Sequence, residues 1–169
     1  MGNSVVITSA VRTAVGSLGK SLKNISGDNL GSSVISESIS KSKIKSDEID
    51  EVIMGQVLTG GAGQNPARQA AMKSGIPKEK PAYIVNQVCG SGLRSIASGF
   101  QSIKAGDSKI IIAGGQESMS LAPHTIHLRD GKKLGDIEMT DTMIKDGLWD
   151  AFHGYHMGVT AENVAKEFQ

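Results

Sequence analysis

The sequence predicts an α/β fold in which helices cover both faces of a mixed sheet. Short apolar runs rich in β-branched residues alternate with longer segments whose apolar residues recur at helical spacing. This alternation is typical of parallel or mixed sheets, because a helix that connects two parallel strands lies on a face of the sheet. Glycine contributes 21 of the 169 residues and aromatic residues only 4%, which suits tight turns and closely packed elements.

The first third of the chain is predicted to fold as strand, loop, helix and strand. Residues 4–10 are an apolar run that indicates a buried strand, and the glycine- and serine-rich residues 12–20 follow as a loop. Apolar residues at helical spacing predict a helix over 28–42, although its many serines mean that tertiary packing must stabilise it. Residues 49–57 alternate imperfectly and indicate a second strand.

The middle third continues with strands and helices in alternation. A glycine-rich loop over 59–65 leads into a helix over 66–74, whose first residue is a proline. Residues 83–85 and 109–114 are short apolar runs that predict two further buried strands. Between these strands, a helix that Gly106 should end has an apolar face made of Leu93, Ile96, Ala97, Phe100 and Ile103.

The last third has a different character. Residues 121–141 carry scattered charge and glycine and proline breaks. A short helix with Asp141 as its cap is predicted over 141–148, and a more regular one over 158–168. The helical pattern reaches the end of the chain without a stop signal, from which we expect a truncated polypeptide.

Cys89, the single cysteine, is predicted to lie where a strand turns into a helix. Free N–H groups at a helix N-terminus favour the reactive thiolate and can hold an oxyanion when sulfur attacks a carbonyl. Gly90 and Gly92 should permit a tight turn and let another molecule approach the backbone. The alternative is a small buried apolar residue, the commoner role of a lone cysteine. The Gly-Ser-Gly that follows Cys89 favours the nucleophile.

Four segments of the chain resemble the thiolases, the acetyl-CoA acetyltransferases. The most specific is Asn-Gln-Val-Cys-Gly-Ser-Gly-Leu-Arg-Ser at 86–95, which is similar to the family's nucleophile motif. Segments 61–70, 114–120 and 141–168 resemble further family segments, the last being most similar to the short-chain, biosynthetic branch. The resemblance extends in order along essentially the whole chain.

The resemblance implies a domain organisation. Thiolases consist of two similar αβ halves packed back to back, with a loop domain inserted in the first half. On that template residues 1–118 are most of the N-terminal core half, and residues 119–169 are the beginning of the loop domain. The family forms dimers and tetramers, so we expect a homo-oligomer, with residues 123–135 near the tetramer contact and 61–70 near the dimer interface. A glycine-rich connection that opens a helix would explain the sequence of 61–70 equally well.

The resemblance also implies a reaction, the condensation of two acetyl-CoA to acetoacetyl-CoA and CoA, with thiolysis as its reverse. Cys89 would carry the acyl group as a thioester, and its backbone N–H would donate to the oxyanion. CoA thioesters are the substrates, and no cofactor is expected. Thiolases also need a Gly-His-Pro histidine and a Cys-x-Gly cysteine, both in the second half of the family chain. Neither motif occurs here, so we expect little or no turnover from this chain alone.

The acyl and pantetheine pocket of the family implies substrate contacts for Leu148, His156 and Met157. Ordinary core positions would explain Leu148 and Met157 as well. The pairs His124/His127 and His153/His156 have a spacing that can suit metal ligands, but no second cysteine accompanies them. We therefore expect solvated or interface histidines and no metal site.

Glu117 has two possible roles. It is a lone acid that could bond to the turn around Cys89 or remain solvated, and we assign it no catalytic role.

Composition excludes several classes of protein. With 18 basic and 17 acidic residues, the chain has no field for nucleic acid or an acidic membrane surface. One cysteine suits a reducing compartment, no signal peptide is recognisable, and no apolar run could span a membrane, so we expect cytoplasmic localisation.

The alternatives to a thiolase enzyme are a non-catalytic fragment or assembly half, a ketoacyl synthase, and a metal- or ligand-binding module. The sequence around Cys89 argues against the synthase.

Overall fold

A three-stranded parallel sheet forms the centre of the computed structural model, which describes residues 4–169. Residues 1–3, the start of the predicted core half, lie outside the described residues. The strands are β1 (Glu51–Gly55), β2 (Ala82–Val85) and β3 (Ile111–Gly115). β1 lies in the middle, with Val52 opposite Ala82 on one side and Ile112 on the other.

Four α-helices accompany the sheet in the described part of the chain. They are α1 (Gly27–Ser42), α2 (Pro66–Lys73), α3 (Ser91–Ala105) and α4 (Met157–Glu167). Short 3₁₀ turns at Ser46–Glu48 and Met119–Leu121 join some of these elements. The predicted α/β architecture is confirmed.

The central strand is covered on both faces. Val52 and Met54 are at most 1% exposed, and they pack with α1 and α2 in the main apolar cluster. Ile53 points to the opposite face and is equally buried beneath α3. A strand buried on both faces is what the continuous apolar run Val-Ile-Met requires.

Asp50 fastens the beginning of β1 to the beginning of β3. Its carboxylate Oδ2 accepts hydrogen bonds from the backbone N–H of Lys109 at 2.7 Å and of Ile110 at 3.0 Å. The Asp50 N–H donates in turn to the carbonyl of Ile110 at 2.8 Å. These N–H bonds hold the pKa of Asp50 below its usual value.

The predicted strand over 4–10 is wrong. This segment pairs with no described strand, and Val6 and Ile7 are 71% and 79% exposed. It forms one wall of a cleft of about 650 Å³ whose opposite wall includes the edge strand β3. A β-branched run supplies strand propensity, but a ladder also needs a neighbouring backbone at hydrogen-bonding distance.

The helix α3 turns its small residues inward and its large residues outward. Ser91, Ser95 and Gly99 are its buried positions, whereas Leu93 is 75% exposed and Phe100 is 49% exposed. The predicted apolar face therefore exists: Leu93 is open to solvent, whereas Ile96, Phe100 and Ile103 line the same cleft as β3 and residues 5–13. Small residues let the helix axis approach β1 and β3 closely.

Beyond the sheet, the chain forms a second, smaller arrangement. The strands β4 (His124–Thr125) and β5 (Thr140–Asp141) pair antiparallel. The helix predicted over 141–148 is a π-helical segment, Met143–Leu148, rather than an α-helix. Asp141 caps it as expected, because its Oδ1 accepts from the N–H of Met143 at 2.9 Å. The change of character after residue 118 is visible, and the predicted domain boundary there remains a prediction.

Candidate active site

The turn that carries Cys89 is fixed by a compact set of hydrogen bonds. The N–H of Gly90 donates to the carbonyl of Gln87 at 3.0 Å, and the N–H of Ser91 donates to that of Val88 at 3.1 Å. The Ser91 hydroxyl accepts from the Gln87 N–H at 2.9 Å and donates to the Val88 carbonyl. The Val88 N–H donates to Asn86 Oδ1 at 2.9 Å. All of these bonds have both partners within residues 86–91, so the motif itself holds the turn together.

Val88 adopts the left-handed conformation in this turn, with φ of 48°. A β-branched residue rarely adopts positive φ, so the surrounding bonds must over-determine it. Neither Gly90 nor Gly92, which were expected to permit a tight turn, has a positive φ. Gly90 instead avoids crowding, since a Cβ there would lie 3.3 Å from the Gln87 carbonyl oxygen.

Cys89 is a free, exposed cysteine two residues before the first residue of α3. The alternative of a small buried core residue is therefore wrong. A sulfur that solvent reaches, at the entrance to a helix, can meet a substrate carbonyl. The geometry resembles a nucleophile elbow, in which a sharp strand-to-helix turn presents the reactive side chain.

The start of α3 lies directly against the ends of two strands. A Cβ on Gly55 would come within 2.4 Å of the Ser91 carbonyl carbon and 2.5 Å of the Gly92 nitrogen. A Cβ on Gly115 would lie 3.5 Å from the Gly92 Cα. Backbone therefore contacts backbone at this point, and the ends of β1 and β3 determine the position of the turn before α3. The sequence analysis did not identify Gly55 or Gly115, and only a glycine at each of two strand ends could have pointed to them.

The three predicted substrate contacts lie on one segment. Leu148 ends the π-helical segment and is half-buried, His156 caps α4 and is exposed, and Met157 is half-buried. An antiparallel bridge between Trp149 and His156 brings the three residues together. The Nδ1 atom of His156 accepts from the Gly158 N–H at 2.9 Å, which gives this side chain a structural role as a helix cap. None of the three residues, nor Cys89, lines the cleft of about 650 Å³ beside β3 or a smaller one of about 280 Å³ whose lining includes Gln56, Leu58 and Ser118.

Glu117 has neither of the roles that the sequence left open. Its carboxylate accepts from the backbone N–H of Val57 at 2.8 Å and of Leu58 at 3.3 Å, so it is bonded to the loop after β1. Burial raises the pKa of Glu117, and the N–H bonds from Val57 and Leu58 oppose that shift in part.

A buried amide pair lies beside Glu117 and was missed by the sequence analysis. Gln116 donates from Nε2 to Gln56 Oε1 at 2.9 Å, and Gln56 donates from its own Nε2 to the Leu58 carbonyl at 3.1 Å. Both glutamines are at most 6% exposed. The only signal in the sequence was a glutamine near the end of each of two predicted strands, with Gln56 inside 49–57 and Gln116 two residues after 109–114.

The segment 61–70 connects β1 to α2. Asn65 caps α2 by accepting from the Arg68 N–H at 3.2 Å, and its Nδ2 donates to the Ala82 carbonyl at 2.8 Å. Gln69 reaches back from the helix to the Ala62 carbonyl at 2.8 Å. These bonds support the interpretation as a glycine-rich connection that opens a helix, and the dimer contact stays a prediction.

The paired histidines contact acidic neighbours. His124 lies 3.8 Å from Asp141, and His153 lies 3.2 Å from Asp150. Within residues 4–169, no three His, Cys, Asp or Glu side chains are grouped so that they could hold a metal ion. Among the same residues, no helix has the length and apolar character needed to cross a membrane.

Comparison with known proteins decides the family. The family model for the thiolase N-terminal domain matches residues 5–169, nearly the whole chain. The chain belongs to the thiolase family. The expected resemblance is confirmed.

Relatives include acetyl-CoA acetyltransferases from bacteria and mammals. Those of Rhizobium meliloti (strain 1021) and Shinella zoogloeoides are each 59% identical over 166 residues, which cover 98% of this chain and 42% of the relative. The cytosolic acetyl-CoA acetyltransferase of Rattus norvegicus is 52% identical over 165 residues, again 42% of its length. The chain thus spans less than half the length of these thiolases.

Proposed function

We propose that this chain supplies the nucleophile of an acetyl-CoA C-acetyltransferase. The observation that carries the proposal is an exposed Cys89 on a rigid strand-to-helix turn, in a chain 59% identical to proteins named for that activity. Leu148, His156 and Met157 are proposed to contact the acyl and pantetheine groups. A homo-oligomer in the cytoplasm, without nucleic acid or membrane partners, is proposed from the composition and from the relatives described as cytosolic.

The proposed reaction proceeds in two halves. The Cys89 thiolate attacks the carbonyl carbon of acetyl-CoA, the bond to the CoA sulfur breaks, and CoA leaves as a thiolate that takes up a proton. A base then removes a proton from the methyl carbon of a second acetyl-CoA. The resulting carbanion attacks the acyl-enzyme, a carbon–carbon bond forms, and Cys89 leaves as a thiolate. The backbone N–H of Cys89 would donate to the oxyanion in each half.

By the family's pattern, both half-reactions need groups that this chain does not contain: a histidine that activates Cys89, and a second cysteine that acts as acid and base. The chain has one cysteine and no Gly-His-Pro sequence, so the family's activating histidine and second cysteine must come from elsewhere. We therefore propose that residues 1–118 act as a core half, and 119–169 as the start of the loop domain, within a larger assembly. The exposed apolar face of α3 favours the same interpretation, since large contiguous apolar surface normally marks an interface.

An assay of acetoacetyl-CoA thiolysis tests this proposal. The isolated chain should show little or no turnover. Fusion to the part of the Rhizobium meliloti relative that follows the matched region should restore turnover, and Cys89→Ala in that fusion should abolish it by at least about 10⁴-fold. Iodoacetamide should label Cys89 in the fusion faster than it labels free cysteine.

Two results would contradict the proposal. Turnover by the isolated chain near that of a complete thiolase would show that the partner groups are not required. An active fusion whose Cys89→Ala variant keeps its rate would remove Cys89 from the reaction.

A further inference from the structure

Leu58 is held by side chains at both of its backbone polar groups. Its N–H lies 3.3 Å from both carboxylate oxygens of Glu117, and its carbonyl accepts from Gln56 Nε2 at 3.1 Å. Leu58 follows β1 at the carboxyl edge of the sheet, and Glu117 follows β3 at the same edge. The parallel register of the two strands brings these residues together across 59 positions of sequence.

The side chain of Leu58 points to the segment that ends in Leu148. A Cβ built on Gly147 would lie 3.7 Å from Leu58 Cδ2, which is ordinary van der Waals distance. Gly147 belongs to the π-helical segment Met143–Leu148. The Leu58 side chain therefore lies beside the backbone of this segment.

We infer that Glu117 is a positioning residue, which fixes Leu58 and through it the segment Met143–Leu148. A half-buried carboxylate receives two backbone N–H groups here, and its charge makes these hydrogen bonds charge-assisted. This inference rests on the proposed function only in so far as Leu148 contacts substrate. Because Leu148 is proposed to contact substrate, Glu117 sets the affinity for the CoA thioester and leaves the reactivity of Cys89 unchanged.

Backbone hydrogen exchange in the 169-residue chain tests the positioning directly. Glu117→Ala should speed exchange at Val57 and Leu58 about ten- to a hundredfold, because the N–H groups lose a charged acceptor. Exchange in 143–148 should rise in the same variant. Glu117→Gln keeps one side-chain oxygen as an acceptor and should give an intermediate effect. Glu79→Ala removes an exposed carboxylate from a turn and should change none of these rates.

A second variant separates the two steps of the coupling. Leu58→Ala keeps the backbone bonds to Glu117 but removes the side chain that lies beside Gly147, so it should speed exchange in 143–148 alone. In the active fusion, Glu117→Gln and Leu58→Ala should each raise KM for the thioester about five- to tenfold, with kcat within about twofold of the parent.

Unchanged exchange in 143–148 in both Glu117→Gln and Leu58→Ala overturns the inference, and so does an unchanged KM in both variants of an active fusion. If Glu117→Ala does not fold, these two variants decide the matter. If the parent fusion shows no turnover, the proposed function is contradicted. The positioning role of Glu117 is then still tested by the hydrogen-exchange rates of the 169-residue chain.

Discussion

Gly55 determines how closely the turn that carries Cys89 approaches the sheet. It ends β1, is buried, and faces the backbone of Ser91 and Gly92 with no side chain between them. Any Cβ at this position meets backbone atoms, which cannot rotate away as a flexible side chain could. The residue is therefore required for packing rather than for an unusual φ.

Gly55→Ala should destabilise the chain by about 1–3 kcal/mol, because overpacking at a backbone contact forces the turn to move. Urea unfolding measures the loss, and the same variant should alter the alkylation rate of Cys89. Gly92→Ala is the matched control for stability, since a Cβ there has no atom within 4 Å and alanine favours a helix. A Gly55→Ala variant as stable as Gly92→Ala would contradict the packing argument.

At the residue scale, the sequence predicted Cys89 but not the means by which its turn is built. A lone cysteine between a strand and Gly-Ser-Gly carries a local signal. The positive φ of Val88 carries none, since valine is among the residues least expected there. It arises from hydrogen bonds to Asn86 and Ser91, which depend on the whole turn being closed.

Asp50 illustrates how a single carboxylate joins two strands. Its carboxylate accepts from the N–H groups of Lys109 and Ile110, which precede β3. Its own N–H donates to the Ile110 carbonyl and so extends the pairing of β1 with β3. These N–H groups bond to the ionised carboxylate and stabilise it relative to the protonated acid, so they lower the pKa of Asp50. Stability from Asp50 is thus fully present above the carboxyl pKa of the unfolded chain, about 3.9, and is lost as pH falls through the lower folded pKa.

Asp50→Ala should cost about 1–3 kcal/mol of unfolding free energy at about pH 7, and the difference from the parent should shrink at about pH 3 and below. Denaturant unfolding at several pH values gives both numbers. Asp47→Ala, at an exposed position of the preceding 3₁₀ turn, should change stability much less. A penalty for Asp50→Ala that stays constant down to pH 2 would show that the charge is not involved.

Strands and helices differ in how far sequence alone predicts them. The helices α1, α2, α3 and α4 begin and end within one or two residues of expectation, because caps and periodicity are local properties. The strand expected at 4–10 fails because its propensity lacks a neighbouring strand in the described residues. The spacing of α3 predicted an apolar face without its direction, and the buried positions of the helix are small residues, among them Ser95 and Gly99.

For the molecule as a whole, the outward face of α3 governs behaviour in solution. Ile96 is 44% exposed and Phe100 is 49% exposed on a helix whose other face covers the sheet. We expect the isolated chain to associate at increasing concentration, because contiguous apolar surface favours burial. The assembly proposed above would cover this surface.

Replacing Ile96 and Phe100 together by lysine should lower the self-association of the isolated chain at least about tenfold, since burying a lysine costs more than burying the side chain it replaces. Sedimentation velocity over a concentration series measures the change. Leu134→Lys is the control, because Leu134 is 88% exposed but lies in the irregular segment between β4 and β5. Equal effects of the two changes would mean that general charge, rather than this face, limits association.

At this largest scale, the sequence supported the family and the nucleophile but not the long-range contacts that hold the site. Glu117 and Leu58 are 59 positions apart, and Gln56 and Gln116 are 60 apart, so neither pair follows from local pattern. Both pairs depend on β1 and β3 lying side by side, which only the fold decides. The thiolase resemblance supplied the arrangement of elements, while these contacts required the structure.

The contact between Gly55 and the first residues of α3 has a consequence for how the chemistry of this family can diversify. Since the sulfur lies two residues before a helix that touches the central strand directly, the framework determines its position and leaves little freedom for adjustment. Under the proposed function, new acyl preferences would then come from loops that surround the sulfur and can change without altering the sheet.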